Sequence, residues 1–134
     1  MPDITERQAQ KVLRAAEARA RDGGFAMAIA IVDRAAYLKA FMRMDGTRLG
    51  PVDVALRKAR TAALFETDTG SFGERAKAGG PIQSIELSNG GLSLLKGGLP
   101  IKNRRGEIIG AIGVSGSSGE NDLLVAEAGV AALS

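Results

Sequence analysis

Residues 99–116, LPIKNRRGEIIGAIGVSG, decide the fold because their pattern predicts a β-hairpin. Asn103 and Gly106 bracket the predicted turn, and both residue types tolerate the positive φ angles that a tight reversal requires. The returning segment, 108–114, is apolar at odd and even positions alike and rich in β-branched residues. This pattern is typical of a strand that is covered on both faces.

The returning strand also contains glycines at positions 110, 113 and 116. Glycine is a poor strand former, and within a strand it indicates that another part of the structure approaches the backbone closely. Two occupants fit this pattern. One is a helix packed tightly against the sheet, and the other is a ligand lying along the strand.

A second hairpin is predicted earlier in the chain. Residues 26–32, AMAIAIV, predict a buried strand, and residues 37–44 predict its outgoing partner. The turn between them carries Ala36 where the other hairpin carries Gly106, so this turn either avoids positive φ or strains Ala36. Two such hairpins favour an antiparallel sheet over parallel βαβ units.

Alanine-rich amphipathic patterns predict the helices. The first covers residues 4–21, with a capping box formed by Thr5 and Gln8 and a glycine cap at its end. The remaining predicted elements are a helix at 51–66, a short helix ending at 77, a strand at 92–96, and a helix from a Ser117 cap to 133. These elements predict five strands, flanked by helices, in an α+β fold.

The composition bounds the chemistry of the chain. Its 134 residues suit one domain, covering 1–134, and it contains neither cysteine nor histidine. Disulfides, thiolate metal sites, and the commonest general base and metal ligand are therefore excluded. A net charge of +3 with 4% aromatic residues argues against a nucleic-acid partner. No apolar run is long enough to span a membrane and the N-terminus does not resemble a signal peptide, so we expect a cytoplasmic protein without a membrane partner.

Several separated motifs together resemble the GlcG/HbpS family, the haem-degrading-domain proteins that include the C-terminal domain of PduO-type proteins. The resemblance covers roughly residues 5–133. The motifs that carry it are IAIVD (29–33), RMDG (43–46), ALRKARTAALF (55–65), GGLPI (97–101), IIGAIGVSG (108–116) and END (120–122). The resemblance implies a profilin-like fold with a five-stranded antiparallel sheet, assembly into homo-oligomers, and, for some members, binding of haem or another tetrapyrrole.

The sequence places a candidate ligand pocket where the strand ending at Arg43 meets the second helix and the glycine-rich corner before the central hairpin. Arg43 lies between two methionines, and its guanidinium could clamp a carboxylate or phosphate through paired hydrogen bonds. The alternative is that Arg43 pairs with Asp45 or Asp33 and only stabilises the turn. The complete predicted set is Arg43, Asp45, Lys58, Gly97, Gly98 and Pro100.

Three functions remain open at this stage. The first is binding of a small molecule, with haem as the cofactor that the resemblance implies. Without histidine or cysteine, a haem iron would need an oxygen, amine or thioether donor. The second is a cofactor-free enzyme for a small carboxylic acid, with Arg43 as the clamp and Lys58 or Asp45 as the proton carrier. The third is a structural subunit of a homo-oligomer.

For the first function, the candidate donors to a haem iron are Met27, Met42, Met44, Tyr37, a lysine or a threonine.

Overall fold

The computed structural model describes all residues from Met1 to Ser134. It contains four α-helices, four β-strands and one short 3-10 helix at Ile85–Leu87. In chain order the helices and strands are α1 (Glu6–Gly23), β1 (Ala28–Asp33), β2 (Leu38–Arg43), α2 (Gly50–Phe65), α3 (Thr69–Ala76), β3 (Gly98–Lys102), β4 (Ile108–Ser115) and α4 (Gly119–Ala131).

The strands form one antiparallel sheet in the order β2-β1-β4-β3. The antiparallel α+β architecture and both predicted hairpins are therefore confirmed, whereas the prediction of five strands is wrong. The predicted strand at 92–96 does not join the sheet because hydroxyl groups of helices bind its backbone instead. The Ser93 N–H donates to Thr61 Oγ1 at 3.2 Å, and Thr69 Oγ1 donates to the Leu95 carbonyl. The profilin-like description stays a prediction.

Helices cover both faces of the sheet. On one face, α1 and α4 bury the larger side chains of β1 and β4, among them Ile29, Ile31 and Ile112. On the other face, α2 packs through alanines against small residues of the same two strands. A Cβ at Gly113 would collide with backbone atoms of Ala55 and Ala59 in α2. Close helix packing, rather than a ligand along the strand, therefore accounts for the glycine at this position.

Local details of the caps and turns follow the sequence with one correction, and one open alternative is decided. The Thr5 hydroxyl accepts from the Gln8 N–H at 3.1 Å, which confirms the α1 capping box. The N-cap of α4 is Ser118 and not Ser117, because the Ser118 hydroxyl accepts from the Asn121 N–H. Ala36 has a φ of 68°, so its turn takes the strained alternative.

None of the helices has both the length and the apolar character needed to cross a membrane. The cytoplasmic location stays a prediction.

Candidate functional site

Lys58 lies at the centre of a buried junction between α2, β4 and α4. Only 1% of Lys58 and 3% of Asp122 is exposed to solvent. The Lys58 ammonium donates to Asp122 Oδ2 at 2.9 Å and to the Val114 carbonyl at 2.8 Å. Asp122 Oδ1 accepts from the Ser117 N–H at 3.0 Å. The pair therefore connects the helix on one face of the sheet to the helix on the other.

Burial perturbs both charged groups of this junction in opposite directions. Desolvation lowers the pKa of Lys58, and the hydrogen bond and charge of Asp122 offset part of that effect. Desolvation likewise raises the pKa of Asp122, which Lys58 and the Ser117 N–H partly counteract. Perturbed pairs of this kind occur at active sites and in purely structural networks alike. Whether a ligand can reach Lys58 and Asp122 therefore decides between an active site and a structural ion pair.

Two predicted glycines lie directly against Lys58. Gly97 has a φ of +124°, and a Cβ there would lie 2.9 Å from Lys58 Nζ and 3.0 Å from Asp122 Cβ. A Cβ at Gly98 would lie 2.7 Å from the Lys58 carbonyl oxygen and 3.0 Å from Thr69 Oγ1. Lys58, Gly97 and Gly98 thus converge as predicted, but protein atoms fill the space between them. This junction is a packed corner rather than an open pocket.

Arg43 and Asp45 lie elsewhere. Arg43 is the last residue of edge strand β2, whereas Gly98 and Pro100 belong to β3 at the opposite edge. Three strand spacings of about 4.8 Å separate the two edges. Arg43 and Asp45 are both exposed, and no ion pair joins them. The structure therefore does not bring Arg43 and Lys58 into one pocket.

Pro100 lines a different cavity beside β3. This cavity has a volume of about 460 Å³, and its walls include Leu99, Lys102, Asp68 and Val130. It is open along the edge of the sheet and contains charges of both signs. The six predicted residues are thus distributed over three places in the fold.

Sequence reasoning missed a cavity between α2, the β1–β2 turn and the loop at 88–91. Its volume is about 290 Å³. The apolar part of its lining comes from Val32, Ala36, Leu38 and Leu56, and the polar part from Asp53, Arg57, Arg60 and Gly90. An apolar lining with a few converging polar groups is typical of small-molecule sites.

The two arginines of this cavity also hold its loop wall. Arg57 donates to Asp53 Oδ2 at 2.7 Å and to the Gly90 carbonyl at 3.1 Å. Arg60 donates to the Asn89 carbonyl at 3.1 Å. Each guanidinium has five N–H groups, so donors remain for a bound anion. The i, i+3 spacing of the arginines was visible in the sequence, but the loop that completes the wall was not.

The possible iron donors differ in their accessibility. Met27 is fully buried and Met44 is 5% exposed, both in the core cluster that contains α1 and α4. Met42 packs against that same cluster. Tyr37 is 74% exposed and lies in the chain between Ala36 and Leu38, which line the arginine cavity. Tyr37 is therefore an accessible donor between two lining residues in the chain, although it does not itself line the cavity, and Met27 and Met44 are committed to the core.

The fold and its cavities define a small α+β protein in which helices sandwich an antiparallel sheet and leave cavities at its rims. The family model described as "Haem degrading protein HbpS-like" matches residues 4–131. The chain belongs to this family, which confirms the GlcG/HbpS resemblance.

Individual relatives agree with this assignment. Protein GlcG of Escherichia coli K12 is 32% identical over 112 residues, which are 84% of this chain and 81% of GlcG. A double mutant of HbpS from Streptomyces reticuli is 33% identical, with a TM-score of 0.90 over 100% of this chain and 89% of that one. A structure described as a PduOC:Heme complex is 27% identical, with a TM-score of 0.90 over 97% of this chain and 94% of that one.

Proposed function

We propose that this protein binds a tetrapyrrole, or another planar molecule with carboxylate groups, in the cavity beside α2. The observation that carries the proposal is the pairing of an apolar wall with Arg57 and Arg60 on one helix. A flat macrocycle gains free energy by covering the apolar wall, and carboxylates gain charged hydrogen bonds from guanidinium groups. The similarity to the PduOC:Heme complex supports the same class of ligand.

The apolar wall and the arginines of the cavity suit the ring and the carboxylates of a tetrapyrrole better than the chain's side chains suit its iron. The chain lacks histidine and cysteine, and its methionines near β1 and β2 belong to the core. Tyr37 is exposed, and its hydroxyl oxygen would hold the iron of a bound haem. The haem itself would supply the redox and ligand-binding chemistry. Recognition would then depend mainly on ring contacts and carboxylates.

A comparison of haemin with iron-free protoporphyrin IX tests this proposal. Absorbance and fluorescence titrations should give dissociation constants within about threefold of each other, because the iron adds little. The Leu38→Glu variant should weaken both by about tenfold or more, since it places a carboxylate in the apolar wall. Leu38 is 55% exposed, so this variant should fold.

The matched control is Leu124→Glu on α4, where the side chain is 43% exposed and lies outside the cavity. It should leave both affinities unchanged. Equal effects of the two variants, or binding of neither porphyrin, would contradict the proposed function. Loss of haemin binding in a Tyr37→Phe variant with unchanged protoporphyrin binding would show that the iron contributes through this residue.

The role of Arg43 as an anion clamp is a further part of the proposal. Its position pairs with Ala28, whose side chain packs on the α2 side of the sheet. Arg43 therefore lies on the same face as the cavity but at the other end of β2 and outside its lining, so an anion held by Arg43 would be bound separately from the ligand in the cavity. The enzymatic alternative gains no specific support, because the ammonium of Lys58 is sealed from solvent and Asp45 is exposed outside the lining of the cavity.

We also propose that the protein assembles into homo-oligomers. Several large apolar side chains remain uncovered in the single chain, including Leu49 at 74%, Leu87 at 80% and Leu95 at 63% exposed. Burial of such side chains against a second copy of the chain would gain free energy. Sedimentation should therefore show a species larger than 13.9 kDa at micromolar concentration, and a monomer alone would contradict the proposal.

A further inference from the structure

Three cationic side chains without acceptors line one cavity on the α1 and α4 side of the sheet, opposite α2. Arg7 and Lys11 come from α1, and Arg104 comes from the turn between β3 and β4. The cavity has a volume of about 310 Å³, and no carboxylate side chain lines it. All three cations are exposed, and none of them takes part in an ion pair.

The β3–β4 turn holds Arg104 on a fixed backbone. Asn103 Oδ1 accepts from the N–H groups of Arg105 and Glu107 at 2.9 Å and 3.0 Å. Asn103 Nδ2 donates to Glu107 Oε1 at 2.9 Å, so the carboxylate nearest in the chain is hydrogen-bonded within the turn. Gly106 supplies the positive φ, at 80°. The turn therefore presents Arg104 without neutralising it.

Two cations on α1 repel each other weakly, and a bound anion would relieve that repulsion. Arg7 and Lys11 are four residues apart, which places two like charges next to each other on one helix face. Further along α1, Arg14 and Arg21 both pair with Glu17 at 2.9 Å and 2.7 Å. Arg19 of the same helix is also outside any ion pair, so Arg7 and Lys11 are distinguished by the cavity that they line together and not by their lack of partners alone.

The three cations do not cap α4, whose end also lines the cavity. The last-turn carbonyls of Gly129, Val130 and Ala131 accept from backbone N–H groups of the three following residues. Cations near a helix C-terminus gain some free energy from the helix dipole even without hydrogen bonds. A ligand-binding role of the cluster must therefore be tested by measuring ligand affinity, because the cations can contribute to the free energy of unfolding without any ligand.

We propose that this cluster of Arg7, Lys11 and Arg104 binds a compact polyanion of the polyphosphate type. Three converging cations suit a ligand that carries several charges within a few ångströms, such as a diphosphate or triphosphate group. No aromatic side chain lines the cavity, so it offers no surface on which nucleobases could stack. The cluster shares no residue with the cavity beside α2, and its role is independent of tetrapyrrole binding.

Calorimetric titration of the full chain with inorganic tripolyphosphate tests the proposal. The expected result is binding of one tripolyphosphate per chain that weakens as salt is added. The Lys11→Gln/Arg104→Gln double variant should weaken it by about tenfold or more, since each lost contact is a charged hydrogen bond. The matched control is Arg48→Gln, which removes an exposed and unpaired cation outside this cavity and should change nothing.

Three results would overturn the proposal. An equal loss in the control would show a nonspecific effect of net charge. A double variant with a lower melting temperature and unchanged binding would assign the cations to the end of α4. Tighter binding of a single-stranded oligonucleotide than of tripolyphosphate would show a nucleic-acid surface instead.

Discussion

Replacement of Lys58 by methionine should destabilise the protein more than any exposed substitution. The methionine fills a similar volume but leaves Asp122 buried at 3% exposure without its counter-charge. The Val114 carbonyl loses its Lys58 donor as well. Removing one partner of a buried ion pair costs about 3–5 kcal/mol, chiefly because the remaining charge is desolvated without compensation.

This free energy can be measured by urea or thermal unfolding at neutral pH. For a chain of 134 residues, each kcal/mol corresponds to about 3–4 °C in melting temperature. The expected decrease for Lys58→Met is therefore about 10–20 °C. Ligands should be left out of these measurements, since binding to the folded state raises the apparent stability.

The double variant Lys58→Met/Asp122→Leu separates charge burial from packing. It removes both charges, so we expect it to recover most of the lost stability and to unfold within about 2 kcal/mol of the original chain. The Ser117 N–H donates to Asp122 and would lose its acceptor, which accounts for the stability that the double variant does not recover. A loss below about 1 kcal/mol for Lys58→Met, or a double variant as unstable as the sum of its parts, would refute the reasoning.

The pKa of Glu17 is lowered by hydrogen bonds from two arginines of α1, so its contribution to stability is present above the unfolded pKa and is lost as the pH falls through the folded pKa. Glu17→Gln should therefore lower the free energy of unfolding near pH 7 by up to about 1 kcal/mol, and acid titration should show this difference vanishing as the pH falls through the lowered folded pKa of Glu17. Gly113→Ala should cost about 1–3 kcal/mol in urea unfolding because its Cβ collides with the α2 backbone, while Gly50→Ala, which meets open space, should cost nothing. Ala36→Gly should increase the free energy of unfolding by about 0.5–1 kcal/mol, and so raise the melting temperature, because glycine adopts a φ of 68° without strain. An unchanged or lower melting temperature would show that the turn is not strained.

Local patterns in the sequence predicted most of the fold because they act over short distances. The Thr5 capping box spans four residues, and the central hairpin depends on the turn residues Asn103 and Gly106. The strand predicted at 92–96 failed because its apolar pattern is equally compatible with a loop. Whether such a segment joins a sheet depends on donors and acceptors elsewhere, here the hydroxyls of Thr61 and Thr69.

The candidate sites were harder to predict because they depend on contacts between distant parts of the chain. Lys58 and Asp122 are 64 positions apart, and neither residue alone indicates that the other is near. The sequence could place Arg43 at the end of a strand, but only the strand order shows that this strand is an edge. The cavity beside α2 requires carbonyls at 89–91, which carry no side-chain signal.

Helix α2 connects these observations, because three cations within four consecutive positions of the helix point in two directions. Lys58 enters the buried junction with α4, whereas Arg57 and Arg60 bind the carbonyls of the 89–91 loop. Each residue turns a helix by about 100°, so the buried pair leaves α2 little freedom to rotate about its axis. Rotation by one position would withdraw the ammonium from Asp122 and move both arginines away from the cavity. The ion pair in the core therefore acts together with the alanine face of α2 to fix where the guanidinium groups of the proposed binding site lie.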